Sequence, residues 1–168
     1  ITNGFEKNLY KKQPFLKNKK FTIVHTGSVY SHQKLKMFFE GFQIFLSISN
    51  CKDIEVRFIG SERVLNVDHS AANSFTNIQP FIDGFTLNEF VTATGRVRYN
   101  KMASIQQQAD LLLFPSFPDS PGTYAGKIFE YLGSGRPILS FPKDNSVVDE
   151  LLLSTESGVF ANSSQEIC

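Results

Sequence analysis

The sequence predicts an α/β fold, in which helices cover both faces of a mainly parallel sheet of about six strands. Short β-rich runs alternate with segments of helical periodicity along almost the whole chain, as parallel βαβ units require. One run, Leu111–Phe114, is apolar at every position, which is typical of a strand buried on both faces. Three other runs end at a glycine, at positions 27, 60 and 95. Together these observations indicate a Rossmann-like three-layer sandwich.

The first βα unit has the clearest pattern. Residues 21–26 form the first predicted strand, and an apolar stripe at helical spacing follows it from Leu35 to Leu46. Residues 55–59 form the second strand, which ends at Gly60. We therefore expect two neighbouring strands with a long amphipathic helix between them.

The middle of the chain, from 61 to 90, has a weaker period. Ala71, Phe75 and Ile78 share a helical face, and we expect Pro80 to end that helix. The remaining predicted elements are a strand at 90–94, a helix with Asn100 as its N-cap that continues to Ala109, the strand at 111–114, a helix at about 124–132, a strand at 137–141, a helix at 147–153, a strand at 158–160 and the start of a helix at 163–166.

Size and composition are those of one globular domain. The chain has 168 residues, of which 41% are hydrophobic and 20% charged. A net charge of +1 argues against nucleic acid as a partner. Cys51 and Cys168 fit neither a disulfide framework nor a metal-ligand spacing, which favours a reducing, cytoplasmic setting and no bound metal. Neither a membrane-length apolar run nor a signal peptide occurs, and the start at Ile1 suggests an excised piece of a longer protein.

The segment 122–137 carries the strongest functional pattern. A glycine-bearing loop leads into a helix that opens Gly126-Lys127-Ile128-Phe129-Glu130. The first turn of a helix has free amide donors and the positive end of the dipole, so an anion can bind there. Lys127 and Glu130 share one face of this helix, which places a cation and a carboxylate within reach of one ligand. The pattern predicts a nucleoside diphosphate site, although an ion pair on a solvated helix face has the same spacing.

Four loops are expected to meet beside this helix, because ligands of an open parallel sheet bind outside the carboxyl ends of its strands. The loops that follow such ends are 27–34, 60–62, 95–99 and 115–126. Gly27, Gly60 and Gly95 begin three of them. A glycine there allows close approach of the backbone to a ligand, or simply forms a tight strand-to-helix turn.

These residues resemble the donor-binding half of GT-B glycosyltransferases, in particular the retaining, glycogen-synthase-like clan of the glycosyl transferase group 1 type. The helix sequence Lys127–Leu132, followed by Gly-Arg-Pro at 135–137, is similar to a recurrent signature of that clan. The opening Asn3–Glu6 is similar to the connection between its acceptor and donor domains. The resemblance implies that 1–20 is an inter-domain connection and 21–168 a nucleotide-sugar-binding Rossmann-like domain, cut before its final helix and without the N-terminal acceptor domain.

The resemblance also implies a diphosphate subsite. After the first strand the family often has Gly-Arg and then a lysine, whereas this chain has Gly27-Ser28 and then Lys34. The arginine is absent, so Lys127 would supply the missing charge, and Lys34 is either the family's lysine or an ordinary solvated one. The start of the helix would add backbone amides from Tyr124, Ala125 and Gly126.

For the nucleoside, the resemblance implies that the base lies against Gly95, Arg96 and Val97 and is held largely by backbone groups. Arg96 would either stack on the base or stay in solvent. Glu130 matches the carboxylate that accepts hydrogen bonds from both ribose hydroxyls, an arrangement that a vicinal diol favours.

The sugar end departs from the family's pattern. Many relatives carry a first glutamate eight positions before the one that binds ribose, and here that position is Gly122. The sugar would be held by Asp119 or by backbone amides alone, and Asp119 is also a common type of turn residue. Of the histidines, His25 ends a buried strand, which favours a satisfied core residue, and for His32 an ordinary residue of the first loop is favoured over a phosphate ligand.

The preferred function is the donor domain of a retaining glycosyltransferase, which transfers a hexose-type sugar from a UDP- or GDP-sugar to a glycan or glycolipid, as in bacterial polysaccharide biosynthesis. The resemblance implies that no metal or other cofactor is needed and that the absent domain binds the acceptor. The isolated domain is then expected to turn over poorly, and the full-length enzyme to associate peripherally with membranes in one version of this hypothesis. The sequence assigns no catalytic residue.

Two alternatives stay open. One is a sugar-nucleotide epimerase of the same architecture, since a fold does not fix a reaction. The other is a non-enzymatic nucleotide-binding domain. A receiver-like domain would need acidic residues at the strand ends, and a nicotinamide dehydrogenase would need Gly-x-Gly-x-x-Gly after the first strand. Gly27 and Gly60 at those ends argue against both.

Overall fold

The computed structural model describes residues 4–10, 18–63, 78–120 and 122–168. In chain order its elements are β1 (Phe21–Tyr30), α1 (Leu35–Ser49), β2 (Ile54–Arg63), α2 (Gln79–Gly84), β3 (Val91–Thr94), α3 (Tyr99–Gln108), β4 (Leu111–Pro115), α4 (Gly126–Ser134), β5 (Ile138–Phe141), α5 (Val147–Ser154), β6 (Gly158–Phe160) and α6 (Ser164–Ile167). The strands form one sheet in the order β3-β2-β1-β4-β5-β6, and all neighbours are parallel. This is the doubly wound order, so the predicted α/β fold is confirmed.

β1 and β2 run further than predicted. The two strands stay in parallel register from Phe21 and Ile54 to their ends, and Gly27 lies directly opposite Gly60. The prediction that these two glycines end the strands is therefore wrong. Their backbone dihedrals explain why, because φ is +93° at Gly27 and +154° at Gly60, so both take up a local distortion that other residues resist while the ladder continues.

Two predicted helix boundaries are also wrong. Pro80 does not end a helix but lies in the first turn of α2, where a proline is tolerated because its missing amide has no intrahelical partner. The expected helical face at 71 and 75 lies outside the described residues, and Ile78 is the buried N-cap of α2. Asn100 lies within α3, whose N-cap is Arg98.

The core occupies both faces of the sheet. On one face α1 packs against β2 and β5 through a cluster of phenylalanines, in which the Phe38 ring lies 5.6 Å from both the Phe39 and the Phe141 rings. On the other face α4 buries Ile128 and Tyr131, neither of which is exposed to solvent. The three-layer arrangement fixes α4 firmly against the sheet.

The short segment 4–10 lies across the outside of α3 and α4. The Phe5 ring occupies the space above Gly133, where a β-carbon would overlap it. The Tyr10 ring stands edge-on to Phe5, with centroids 5.4 Å apart, and is 9% exposed. None of the helices in the described part of the chain has the length and apolar character needed to span a bilayer.

Candidate functional site

The start of α4 brings Lys127 beneath the backbone of β1. The Lys127 ammonium donates to the carbonyl oxygen of Ser28 at 3.1 Å, and its Nζ lies 3.1 Å from Nε2 of His25. The burial of Ile128 and Tyr131 on the adjoining face of α4 sets the rotation of the helix, so Lys127 is directed toward β1. A cation is therefore held at the point where β1 leaves the centre of the sheet.

His25 is a neutral ring in one tautomer. Its Nδ1 lies 3.0 Å from the carbonyl oxygen of Leu113, and because a carbonyl only accepts, Nδ1 carries the hydrogen. Nε2 then has a free lone pair and accepts from Lys127. Burial, and secondarily the Lys127 charge, lower the pKa of His25 well below its usual range, so the ring stays neutral near pH 7.

Lys127 itself is strongly perturbed. Burial lowers the pKa of Lys127 to about 7, and the nearby Glu130 carboxylate opposes this shift. The ammonium is thus costly in the unliganded protein. An incoming anion would favour its charged form, and such perturbation in a group near a loop cluster is typical of functional sites.

Two glycines make room for the Lys127 side chain. A β-carbon on Gly27 would lie 3.0 Å from Cε of Lys127. A β-carbon on Gly60 would in turn overlap the carbonyl oxygen of Gly27. Gly60 thus leaves room for the Gly27 carbonyl, and Gly27 leaves room for the Lys127 side chain, a packing role with no signal in the sequence.

Glu130 lies one turn along α4 and has weaker contacts than Lys127. It is half-buried, and its Oε2 accepts a long hydrogen bond of 3.5 Å from Nε2 of Gln106. The same Gln106 amide donates to Oγ1 of Thr26 at 2.8 Å, and its Oε1 accepts from the Tyr10 hydroxyl at 2.5 Å. Glu130 is therefore linked through Gln106 to the segment that precedes β1.

Tyr131, on the buried face of α4, contacts both β1 and the Leu113 carbonyl near His25. Its hydroxyl oxygen accepts from the backbone amide of Thr26 at 2.9 Å and lies 3.4 Å from the carbonyl oxygen of Leu113, the group that also orients His25. Burial is the largest cause that raises the pKa of this phenol. The tyrosine fixes α4 to β1 at the level of the site.

The remaining predicted residues are distributed over the same edge of the sheet. Lys34 is exposed at the N-cap of α1, and Arg96 is exposed in the loop after β3, where Val97 packs against the core of the α4 face. Tyr124 and Ala125 precede α4 rather than forming its first turn, with Ala125 at the N-cap. Gly95 and Gly126 are exposed.

A separate cleft of about 330 Å³ lies between the loop after β1 and the loop after β4. The cleft is lined by His32, Lys34 and Asp119 among other residues. Lys127 and Glu130 are not among its lining residues. The predicted residues thus fall into three groups, namely Lys127 and Glu130 on α4, the residues of this cleft, and Gly95, Arg96 and Val97 in the loop after β3.

Three residues of the site had no signal in the sequence. Gln106 is one of three consecutive glutamines, Thr26 reads as an ordinary strand residue, and Tyr10 lies in a segment without periodicity. Their roles depend on contacts between residues 80 or more positions apart. His25 was correctly expected to be buried, but not its contact with Lys127.

Solved structures of known proteins share this fold. Staphylococcus aureus TarM, in a complex with fondaparinux, α-GlcNAc-glycerol and UDP, superposes with a TM-score of 0.69 at 13% identity, over 99% of this chain and 31% of TarM. The C-terminal domain of LpcC, a glycosyl transferase group 1 family protein from Francisella tularensis, superposes with a TM-score of 0.63 at 15% identity, over 98% of this chain and 84% of that domain. UDP-GlcNAc 2-epimerase from Neisseria meningitidis, bound to UDP-GlcNAc, superposes with a TM-score of 0.58 at 12% identity, over 96% of this chain and 37% of the epimerase.

These likenesses establish the fold, which transferases and epimerases share. The chain spans about a third of the length of TarM and of the epimerase. No curated protein matches it in sequence. The model of the family described as glycosyl transferases group 1 matches residues 20–167. Because that match covers the whole sheet, the predicted membership is confirmed, and the chain belongs to the group 1 glycosyl transferases.

Proposed function

We propose that this chain is the donor-binding domain of a retaining glycosyltransferase, and that a UDP- or GDP-sugar binds at the start of α4. The observation that carries the proposal is the Lys127 ammonium, held under Ser28 and one helical turn from Glu130. A cation at a helix N-terminus fits a diphosphate, and a carboxylate one turn away fits a pentose diol.

The chemistry follows from the charge that develops on the departing diphosphate. As the bond to the sugar breaks, negative charge accumulates on the diphosphate oxygens, and preorganised donors stabilise it. Lys127 and the free amides at the start of α4 supply those donors, and Lys34, which lines the neighbouring cleft, would add a second cation from the loop after β1. We infer that they take the place of a metal ion, so a chelator should leave diphosphate affinity unchanged.

The nucleoside completes the proposed subsites. The base lies against the loop of Gly95, Arg96 and Val97, and the sugar is directed toward the loop that carries Asp119. A glycan or glycolipid acceptor is bound by a preceding domain, to which residues 1–20 form the connection. Family membership favours transfer, whereas the fold shared with UDP-GlcNAc 2-epimerases keeps epimerisation as the second candidate.

Calorimetric titration with UDP, GDP and ADP tests the proposal. We expect one of the uracil or guanine nucleotides to bind best, and Glu130→Ala to weaken that binding about 10-fold, or about 1.4 kcal/mol, because charge-assisted hydrogen bonds to the ribose are lost. Glu150→Ala is the matched control, since Glu150 is an exposed helical glutamate on α5. Absence of binding by all three nucleotides would overturn the proposal.

The second candidate has its own measurement. Epimerisation of UDP-GlcNAc at its amide-bearing carbon removes the hydrogen of that carbon and returns one from solvent, so the product formed in D₂O carries deuterium at the inverted centre. We expect no deuterium from this chain. Its appearance would replace transfer with epimerisation as the proposed reaction.

A further inference from the structure

We propose that His25 is a positioning residue that holds the Lys127 amine against the Ser28 carbonyl and directs it at the donor's diphosphate. The inference rests on the proposed function, in which Lys127 binds that diphosphate. It assigns a role to a buried group that neither the family match nor the described likenesses specify.

The geometry leaves the ring little freedom. His25 is fully buried, its Nδ1–H is fixed by the Leu113 carbonyl oxygen at 3.0 Å, and its ring centroid lies 5.6 Å from that of Phe58. Nε2 must therefore present its lone pair to Lys127, at 3.1 Å. Two fixed acceptors, Nε2 of His25 and the Ser28 carbonyl oxygen, define where Nζ lies.

A purely structural histidine would not need this partner. A buried imidazole has one donor and one acceptor to satisfy, and protein interiors usually satisfy both with backbone groups or other fixed polar groups. Here the acceptor is matched by a side chain 102 positions away, on the helix that carries the proposed site. A phenyl ring in the same place would fit beside Phe58 without burying a polar atom.

A neutral His25 ring can accept a hydrogen bond from Lys127 without opposing protonation of the Lys127 amine. The titratable groups that face Lys127 are Glu130 on its own helix and His25 on β1. Glu130 attracts the ammonium, and His25, being neutral, does not repel it. Because burial lowers the pKa of Lys127 to about 7, a diphosphate that favours the ammonium draws a proton onto it as it binds.

The test compares two variants that differ in one acceptor. His25→Phe removes the lone pair, and His25→Gln keeps an acceptor near the position of Nε2. We expect His25→Phe to weaken UDP binding about 10-fold and His25→Gln to weaken it less than about 3-fold, with uridine affinity unchanged in both. In a Lys127→Met background His25→Phe should cause no further loss, because the two side chains act as one unit.

Proton uptake supplies a readout that a packing role would not move. Calorimetry at pH 8 in two buffers of different ionisation enthalpy should show that the wild type takes up most of one proton on binding UDP, and that His25→Phe takes up a different fraction. Equal uptake and equal UDP affinity in the wild type and His25→Phe would overturn the inference. The same comparison is made with GDP if GDP binds better than UDP, and if no nucleoside diphosphate binds the wild type, the proposed function fails first.

A measurement on the wild type covers the case in which His25→Phe does not fold. Nitrogen NMR of the His25 ring should show hydrogen on Nδ1 and none on Nε2 from pH 6 to pH 8. Hydrogen on Nε2 in that range would contradict the inference, because Nε2 could not then accept from Lys127.

Discussion

Lys127 and Glu130 lie one helical turn apart on the same face of α4, yet the protein holds them in opposite ways. Lys127 is half-buried, as Glu130 is, but it has two contacts of 3.1 Å and its stem is packed under Gly27. Glu130 is half-buried and reaches Gln106 only at 3.5 Å. The diphosphate end of the proposed site is therefore fixed by the sheet itself, whereas the ribose end is adjustable and depends on α3 and the segment before β1.

The difference has an energetic consequence. Burying an amine costs stability that the unliganded protein recovers only in part through its contacts, and functional sites commonly carry such a cost. Changes near Lys127 should therefore affect folding and binding together. A change of Glu130 itself should affect mainly binding.

The largest effect is expected from Gly60→Ala, which tests the packing of Gly60 and Gly27 around Lys127. The new β-carbon would overlap the Gly27 carbonyl oxygen, so the backbone of β1 must move, and we expect a loss of about 3 kcal/mol or more in the free energy of unfolding. Guanidinium denaturation measures it. Gly135→Ala is the control, since Gly135 has φ of +69° but open space around it, and should lose only about 1 kcal/mol. Equal losses would show that the Gly60–Gly27 contact is not tight.

Lys127→Met should separate the two ends of the site in binding. We expect UDP affinity to fall about 30-fold, or about 2 kcal/mol, because the buried charge is lost from the diphosphate. Glu130→Gln should cost about 5-fold, or about 1 kcal/mol, since the amide keeps one acceptor. Calorimetric titration measures both, with the exposed Lys101→Met as control. A larger effect of Glu130→Gln would reverse the comparison.

The pH dependence of folding sharpens the comparison further. The unfolded chain binds a proton at Lys127 up to about pH 10.4, whereas the folded chain loses it near pH 7, so stability rises with pH between these values. We expect a gain of roughly 2 kcal/mol from pH 7 to pH 9, measured by denaturant unfolding. Tyr10 and Tyr131, whose pKa values burial raises, act only above this range.

Lys127→Met provides the reference for that measurement. The variant lacks the titrating amine, so the gain between pH 7 and pH 9 should vanish, and its stability at pH 7 should exceed that of the wild type. Parallel pH curves for the two proteins would show that the Lys127 amine keeps an ordinary pKa.

The smallest effect is expected at the ribose end of the proposed site, where Tyr10 contacts Gln106. Tyr10→Phe removes the hydrogen bond to Gln106 and should cost about 1 kcal/mol of stability. Because Gln106 also reaches Glu130, UDP affinity should fall about 2-fold, and uridine affinity should fall with it. Thermal unfolding and titration with both ligands measure these effects. A loss confined to UDP would place the Tyr10 contact on the diphosphate side instead.

Much of this architecture could be predicted from local pattern. The apolar run at 111–114 and the stripe from Leu35 to Leu46 record burial directly, so the sheet and α1 followed from the sequence. The helix with Lys127 and Glu130 was equally clear. A glycine after an apolar run usually marks a turn, however, and the continuation of β1 and β2 past Gly27 and Gly60 depends on their mutual packing.

The polar contacts of the site could not be predicted in the same way. That His25 meets Lys127 depends on the rotation of α4 against β1, which the burial of Tyr131 sets. That Gln106 is chosen from three neighbouring glutamines depends on which face of α3 turns inward. A proline is compatible with the residue after a helix and with the first turn of a helix, so Pro80 alone could not show that it lies in the first turn of α2.

The low pKa of Lys127 also makes this side chain a chemical handle. At neutral pH a large share of its amines is unprotonated and nucleophilic, whereas solvated lysines are almost entirely ammonium. A nucleotide analogue with an aldehyde in place of its terminal phosphate would condense with that amine, losing water to form an imine that borohydride reduces to a stable secondary amine. The amine that we propose binds the leaving diphosphate is thus also the place where a covalent inhibitor would attach.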